Sequence, residues 1–293
     1  MQCLHPVTIK NPRWGTSKQT IDDTYYIQVP CGKCINCQNN RRSSWVLRNR
    51  YENLHCISSI FVTLTYSDEN LPWFGEQTPS LDYEDVKKFM KRLRKKFPDS
   101  KLRYFLCGEY GSKTLRPHYH AIIYDLPLLD NGKDFVEYYR KVIADTWSLG
   151  NVTASPVNDN RIGYITKYII KSDYDKKQYA ECEIRPPKLL VSRGLGKELW
   201  QYVSKANGGI RFFGHSTAAP RYVIEKYRQN EPNDAREFDD RRKEFIVQRR
   251  RTLLQMRYRN SQESPFRDSR SEYISQEERA KRLFKRCKTQ KDF

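Results

Sequence analysis

The chain is poor in what a membrane or secreted protein needs. No apolar run approaches the roughly 18 residues of a membrane span, and Met1-Gln2-Cys3-Leu4-His5-Pro6 has no signal-peptide apolar region. A cytosolic protein, away from any membrane, is the expectation. Histidine is scarce, with five residues, and no internal repeat is visible. Acidic residues are in deficit: 35 Asp and Glu stand against 54 Lys and Arg, a net charge of +19. An anionic partner follows, nucleic acid before membrane surface. Twenty Tyr, 13 Phe and 5 Trp supply flat faces for unpaired bases, although most such residues in any protein are core or surface. The 293 residues suffice for one good-sized core with appendages, or two modest domains.

Three segments are expected. Residues 1–57 read as a Cys-rich, loop-rich entry followed by a basic helix from about residue 39 to 55. Residues 58–215 carry the regular elements. Strands are predicted at 59–66, 102–109, 117–124 and 152–157, from β-branched and aromatic runs. Helices are predicted at about 82–97, where Val86, Phe89, Met90, Leu93 and Phe97 recur at helical spacing, and at 134–147 and 161–171. Residues 216–293, dense in charge and sparse in apolar residues, read as a basic tail, helical or partly disordered. The fold class is α+β, a central antiparallel sheet of about five strands with flanking helices, mainly on one face.

The chemistry-bearing residues fall in three places. His118 and His120 are two apart on a predicted strand, so they share a face while Tyr119 points opposite. Two imidazoles so placed can grip one divalent ion. If strands 102–109 and 117–124 form a hairpin, Glu109 lies beside the pair as a third ligand, and such mixed nitrogen and oxygen ligation accepts Mg²⁺ or Mn²⁺. The bland alternative is two satisfied histidines on a half-buried sheet.

On the helix at 161–171, Tyr164, Lys167, Tyr168 and Lys171 fall at i, i+3, i+4 and i+7, on one face. Ile162, Ile165 and Ile169 mark another. A phenol titrates near pH 10 in water, but nearby cations favour the phenolate and a metal ion makes a phosphorus more electrophilic. Tyr can then displace a 3′-oxygen and hold the 5′ end covalently. The bland alternative is an amphipathic helix with half-buried tyrosines. Third, Cys31, Cys34 and Cys37 form C-x₂-C-x₂-C. Cys3 is the natural fourth ligand of a Zn²⁺ site, with His5 and Cys56 as substitutes, and free thiols or an iron–sulfur cluster as rival readings. Candidate DNA contacts are Arg41 and Arg42 beside the cysteines, Arg116, Lys171, and Arg193 with Gly194 and Gly196, whose backbone N–H groups could meet a phosphate.

Phe61-Val62-Thr63-Leu64-Thr65-Tyr66, Gly108-Glu109-Tyr110-Gly111 through Arg116-Pro117-His118-Tyr119-His120, and Tyr164 through Lys171 resemble the three ordered motifs of HUH-superfamily rolling-circle replication initiators. The resemblance is nearest to the replication initiation proteins of gokushovirus-type microviruses, small single-stranded DNA phages. Pro30 through Cys37 and Asp68-Glu69-Asn70-Leu71-Pro72 share it, and it covers about residues 1–215. It implies an HUH endonuclease fold, with His118 and His120 as metal ligands and Tyr164 and Tyr168 as nucleophiles. Lys167 would position the phosphate or the metal-bound water. Glu109 as third ligand is weakly implied, since such families vary there, and Tyr119 matches only in part. The implied activity is nicking of single-stranded or hairpin DNA at an origin in the bacterial host's cytoplasm, with host replication machinery extending the 3′-OH. The rivals are an HUH relaxase or transposase, and, from another class, a non-catalytic zinc-containing DNA-binding protein.

Overall fold

The computed structural model describes residues 3–17, 24–73, 78–111, 114–129, 134–174, 179–180, 183–212 and 214–263, without the side chains of 170–174, 215, 249–250, 253–254 and 257–263. Two compact units are present. One holds residues 44–249; the other combines residues 1–43 with the segment from 250 onward.

The first unit is built on an antiparallel five-stranded sheet. Its strands are β3 (Ser59–Thr65), β4 (Arg103–Tyr110), β5 (Pro117–Tyr124), β6 (Val152–Pro156) and β7 (Leu189–Val191), in the spatial order β6-β3-β5-β4-β7. The α+β class and the strand number agree with the sequence reading. The helices, however, cover both faces. Ile60, Val62, Leu64, Leu106, Ala121 and Ile123 pack against Val86, Phe89, Met90 and Leu93 of α2 (Tyr83–Lys96) and Ile143 and Trp147 of α3 (Phe135–Trp147). Phe61, Phe105, Ile122 and Tyr124 on the other face meet Ile162, Ile165 and Ile169 of α4 (Asp159–Tyr174), and Trp45 of α1 (Ile35–His55). The physical reason lies in the central strand: every residue from Tyr119 to Tyr124 is buried, so neither face tolerates water. Each fully buried Leu, Ile or Phe here stabilises the fold by about 1.5–3 kcal/mol.

Capping residues set the helix starts. The Asp82 carboxylate accepts the Glu84 amide at 3.0 Å, and Asp134 accepts those of Val136 and Glu137 at 2.9 and 3.2 Å. Tyr119 joins α2 to the sheet. Its hydroxyl accepts the Asp82 amide at 2.7 Å and donates to the Asp82 carbonyl at 2.7 Å.

Residues 221–238, thin in apolar content, nonetheless contribute to a second core. Val223, Ile224 and Tyr227 of α5 (Arg221–Asn230) and Phe238 of α6 (Ala235–Glu263) are buried with Leu199, Val203 and Ile210. A two-stranded ribbon, β8 (Gly209–Phe212) and β9 (His215–Ala218), adds to this unit. The other unit contains the hairpin of β1 (Val7–Lys10) and β2 (Tyr26–Val29). Among the described residues no helix is long and apolar enough to cross a membrane.

Tyr119→Phe leaves the buried Asp82 amide and carbonyl without this partner. It should cost about 1–3 kcal/mol, read as a lower urea midpoint of the full chain. An unchanged midpoint would show that another group satisfies Asp82.

Candidate metal centre and tyrosine helix

The site is assembled by strand register. Glu109 on β4 lies directly opposite His118 on β5, and Cys107 lies opposite His120. Alternation then places Glu109, His118 and His120 on the face covered by α4. The Glu109 Oε2 atom is 3.3 Å from Nε2 of His118 and 3.2 Å from Nε2 of His120. The other ring nitrogens are engaged elsewhere: Nδ1 of His118 is 3.2 Å from the Arg116 carbonyl, and Nδ1 of His120 is 3.0 Å from the Thr63 hydroxyl. Both Nε2 atoms are thereby turned toward the carboxylate, the support that ligating histidines require. His120 is buried, which pushes its pKa below the usual imidazole value despite the opposing pull of Glu109. It is therefore neutral at physiological pH, the form that binds metal. Two imidazole nitrogens and one carboxylate oxygen within 4.8 Å of one another could hold a metal ion.

Helix α4 lies over this cluster, held by the buried Ile162, Ile165 and Ile169. The Tyr164 hydroxyl is 3.4 Å from Nε2 of His120. The Tyr168 ring stacks on the His120 ring, with centroids 5.4 Å apart and planes at 17°. The two tyrosines occupy unlike surroundings. Tyr164 is half-buried, whereas Tyr168 is 4% exposed. Burial, then the Glu109 carboxylate to which it hydrogen-bonds, pushes the Tyr168 phenol far above its ordinary pKa. The Lys167 ammonium stands 4.0 Å from the Tyr164 ring centroid and 5.2 Å from that of Tyr168. Glu109, His118, His120, Tyr164, Lys167 and Tyr168 thus come together from two strands and one helix.

Other candidates lie apart from this cluster. The Arg116 guanidinium pairs with Asp68 at 2.5 Å and donates to the Tyr66 carbonyl at 2.7 Å. Arg193 is exposed in the turn after β7. The neighbouring glycines do not form a phosphate cradle: the Gly196 amide donates to Glu52 at 2.7 Å, and Arg48 donates to the Leu195 carbonyl at 2.6 Å. A Cβ on Gly196 would sit 2.8 Å from that of Arg48, and its φ is +63°, so close packing and backbone conformation both require glycine there. Arg41 and Arg42 belong to α1 in the other unit. The Lys171 side chain lies outside the described residues. Cys3, Cys31, Cys34 and Cys37 gather into a second group that could hold a metal ion; His5 and Cys56 are not in it.

Two contributors escaped the sequence reading. Thr63 anchors His120 from the adjacent strand, and Phe61 packs parallel to the His120 ring with centroids 5.8 Å apart. Their presence in the first motif was the available signal; their register against β5 was not visible.

A model of the replication-associated protein ORF2 family matches residues 59–173, from β3 into α4. The replication-associated protein ORF2 of Spiroplasma virus 4 is 30% identical over 220 residues, covering 67% of this chain and 68% of the relative. The replication-associated protein VP4 of Bdellovibrio phage phiMH2K is 27% identical over 288 residues, covering 91% and 88%. The replication-associated protein ORF4 of Chlamydia phage 1 is 27% identical over 237 residues, covering 72% and 56%. No solved structure matches the chain. The motif order, the length of the alignments and the family match agree: the chain belongs to the ORF2 family of replication-associated proteins, the microvirus group that its motifs resemble.

Proposed function

We propose that the protein is a metal-dependent tyrosine endonuclease that nicks single-stranded or hairpin DNA at a phage origin and stays joined to the 5′ end. The core at 58–215 would be the HUH endonuclease domain, acting in the bacterial host's cytoplasm. The observation that carries this reading is the Tyr164 hydroxyl, 3.4 Å from Nε2 of His120.

Glu109, His118 and His120 would hold Mg²⁺ or Mn²⁺, for which neutral imidazoles and a carboxylate are suitable donors. Bound there, the ion would offset charge on the scissile phosphate and make its phosphorus more electrophilic. The chain's own residues do the rest. Oη of Tyr164 attacks the phosphorus, forming the P–O(Tyr) bond as the P–O3′ bond breaks. The phenolic proton is lost to water, and the 3′-oxygen leaves as a 3′-OH that a host polymerase can extend. Lys167, beside the Tyr164 ring, favours the phenolate and attracts the phosphate. Tyr164 makes the first attack because its hydroxyl is the accessible one; Tyr168 is buried and tied to Glu109. Once DNA binding or helix motion frees it, Tyr168 can attack in a later strand-joining step. Arg193, Arg41, Arg42 and Lys171 are candidate phosphate contacts, and Arg116 shapes the strand end through Asp68.

Labelled origin single strand, incubated with the protein and Mn²⁺ and then denatured, should run as a covalent adduct. Tyr164→Phe should lower adduct formation by at least on the order of a thousandfold, and Tyr168→Phe should leave the first cleavage within a few-fold. Adduct from the double variant would end the phosphotyrosine reading. A salt-sensitive complex with no adduct from the wild type would favour a plain DNA-binding protein.

Chelation should abolish adduct formation and added Mn²⁺ should restore it. His120→Ala should slow the cleavage by about a hundredfold or more. Full activity in the presence of chelator would exclude a role for metal in the step.

A further inference from the structure

The Cys3, Cys31, Cys34 and Cys37 thiols have no part in that chemistry, yet they are closely arranged. All four Sγ atoms lie within 4.8 Å of one another. Cys3 and Cys34 are 3.8 Å apart, sulfur to sulfur. A tetrahedron with Zn–S bonds of about 2.3 Å has edges of about 3.8 Å. A disulfide needs about 2.05 Å, and the four cysteines are free.

The backbone is arranged around the sulfurs. The amides of Cys31 and Cys34 donate to Sγ of Cys3 and Cys31, each at 3.2 Å, and the Leu4 amide reaches Sγ of Cys34 at 3.5 Å. Amides aimed at sulfur favour thiolates over thiols. Gly32, with φ of +75°, turns the chain between Cys31 and Cys34, a conformation that suits glycine. Cys34 immediately precedes α1, and Cys37, three residues on, reaches the same group from its first turn. The pairing of Val7 with Val29 brings Cys3 and Cys31 together at the open end of the β1–β2 hairpin.

This region has little else to hold it. Every residue of β1 is exposed, and the apolar cluster around the cysteines buries only Leu4 and Ile35, with Cys34 packed against them.

We infer that Cys3, Cys31, Cys34 and Cys37 form a structural zinc site that fastens the open end of the N-terminal hairpin to the start of α1. Four thiolate ligands leave no open position for substrate, the mark of a structural ion. Soft sulfur donors select Zn²⁺ over the Mg²⁺ or Mn²⁺ proposed for Glu109, His118 and His120. As the four thiols become thiolates, their protons pass to the buffer. The inference is independent of the nicking reading.

The test uses the full chain, expressed with zinc in the medium, and elemental analysis by mass spectrometry. About one zinc per chain is expected, displaced by p-hydroxymercuribenzoate and read with a metallochromic dye. That zinc should persist in a His118→Ala, His120→Ala variant and be lost from Cys31→Ser, Cys34→Ser. After mercurial treatment of the wild type, trypsin should newly cut at Lys10, Arg13 and Lys33. The wild-type titration needs no variant to fold. Zinc-free wild-type protein, zinc retained by the cysteine variant, an intact mass reporting disulfides, or iron with labile sulfide would each overturn the assignment. A nicking-dead protein that keeps its cysteine-bound zinc would leave it standing.

Discussion

The antiparallel register between β4 and β5 is the constraint on which the site depends. Glu109 faces His118 because those residues are direct partners, and His120 joins them because side chains alternate with a period of two. A slip of one residue would send the carboxylate to the opposite face, among Leu64, Leu106 and Tyr119, with no cation to meet it. The register is held by burial on both sides of β5. The same burial desolvates His120 and keeps it neutral, while Thr63 and the Arg116 carbonyl take the Nδ1 atoms and orient the rings. Packing, tautomer and ligand geometry are thus one arrangement.

Helix α4 supplies the other half. Ile162, Ile165 and Ile169 fix its rotation against the sheet, so that Tyr164 and Tyr168 both face the histidines. Sharing a helical face does not give them equal environments. One turn along the axis moves a phenol from a half-buried position beside His120 to one stacked on its ring and hydrogen-bonded to Glu109. Two residues alike in sequence acquire unlike availability from a displacement of about 6 Å along the helix.

The two candidate ion sites differ in donor chemistry. Neutral nitrogens and a carboxylate suit a hard or borderline ion and leave room for further ligands; four sulfurs suit a soft one and leave none. Charge elsewhere is used structurally. Arg48 and Glu52 hold the Leu195–Gly196 turn, although a glycine-rich stretch next to Arg193 resembles an anion loop in sequence.

Short-range features were legible in the sequence. The sheet strands before residue 157, the three helices of the core and their Asp82 and Asp134 caps follow from periodicity and capping over a few residues. So do the shared face of His118 and His120 and that of Tyr164 and Tyr168. Each depends on neighbours along the chain and on fixed repeats of two or 3.6 residues. What only the tertiary structure decided is which surfaces bury one another. That includes the strand order β6-β3-β5-β4-β7, helices on both faces, Thr63 beside His120, the Tyr119 hydroxyl on Asp82, and the apolar residues of 221–238 drawn into a core. These are choices between distant segments of the chain, made by the area that each pairing removes from water, and no local pattern records them.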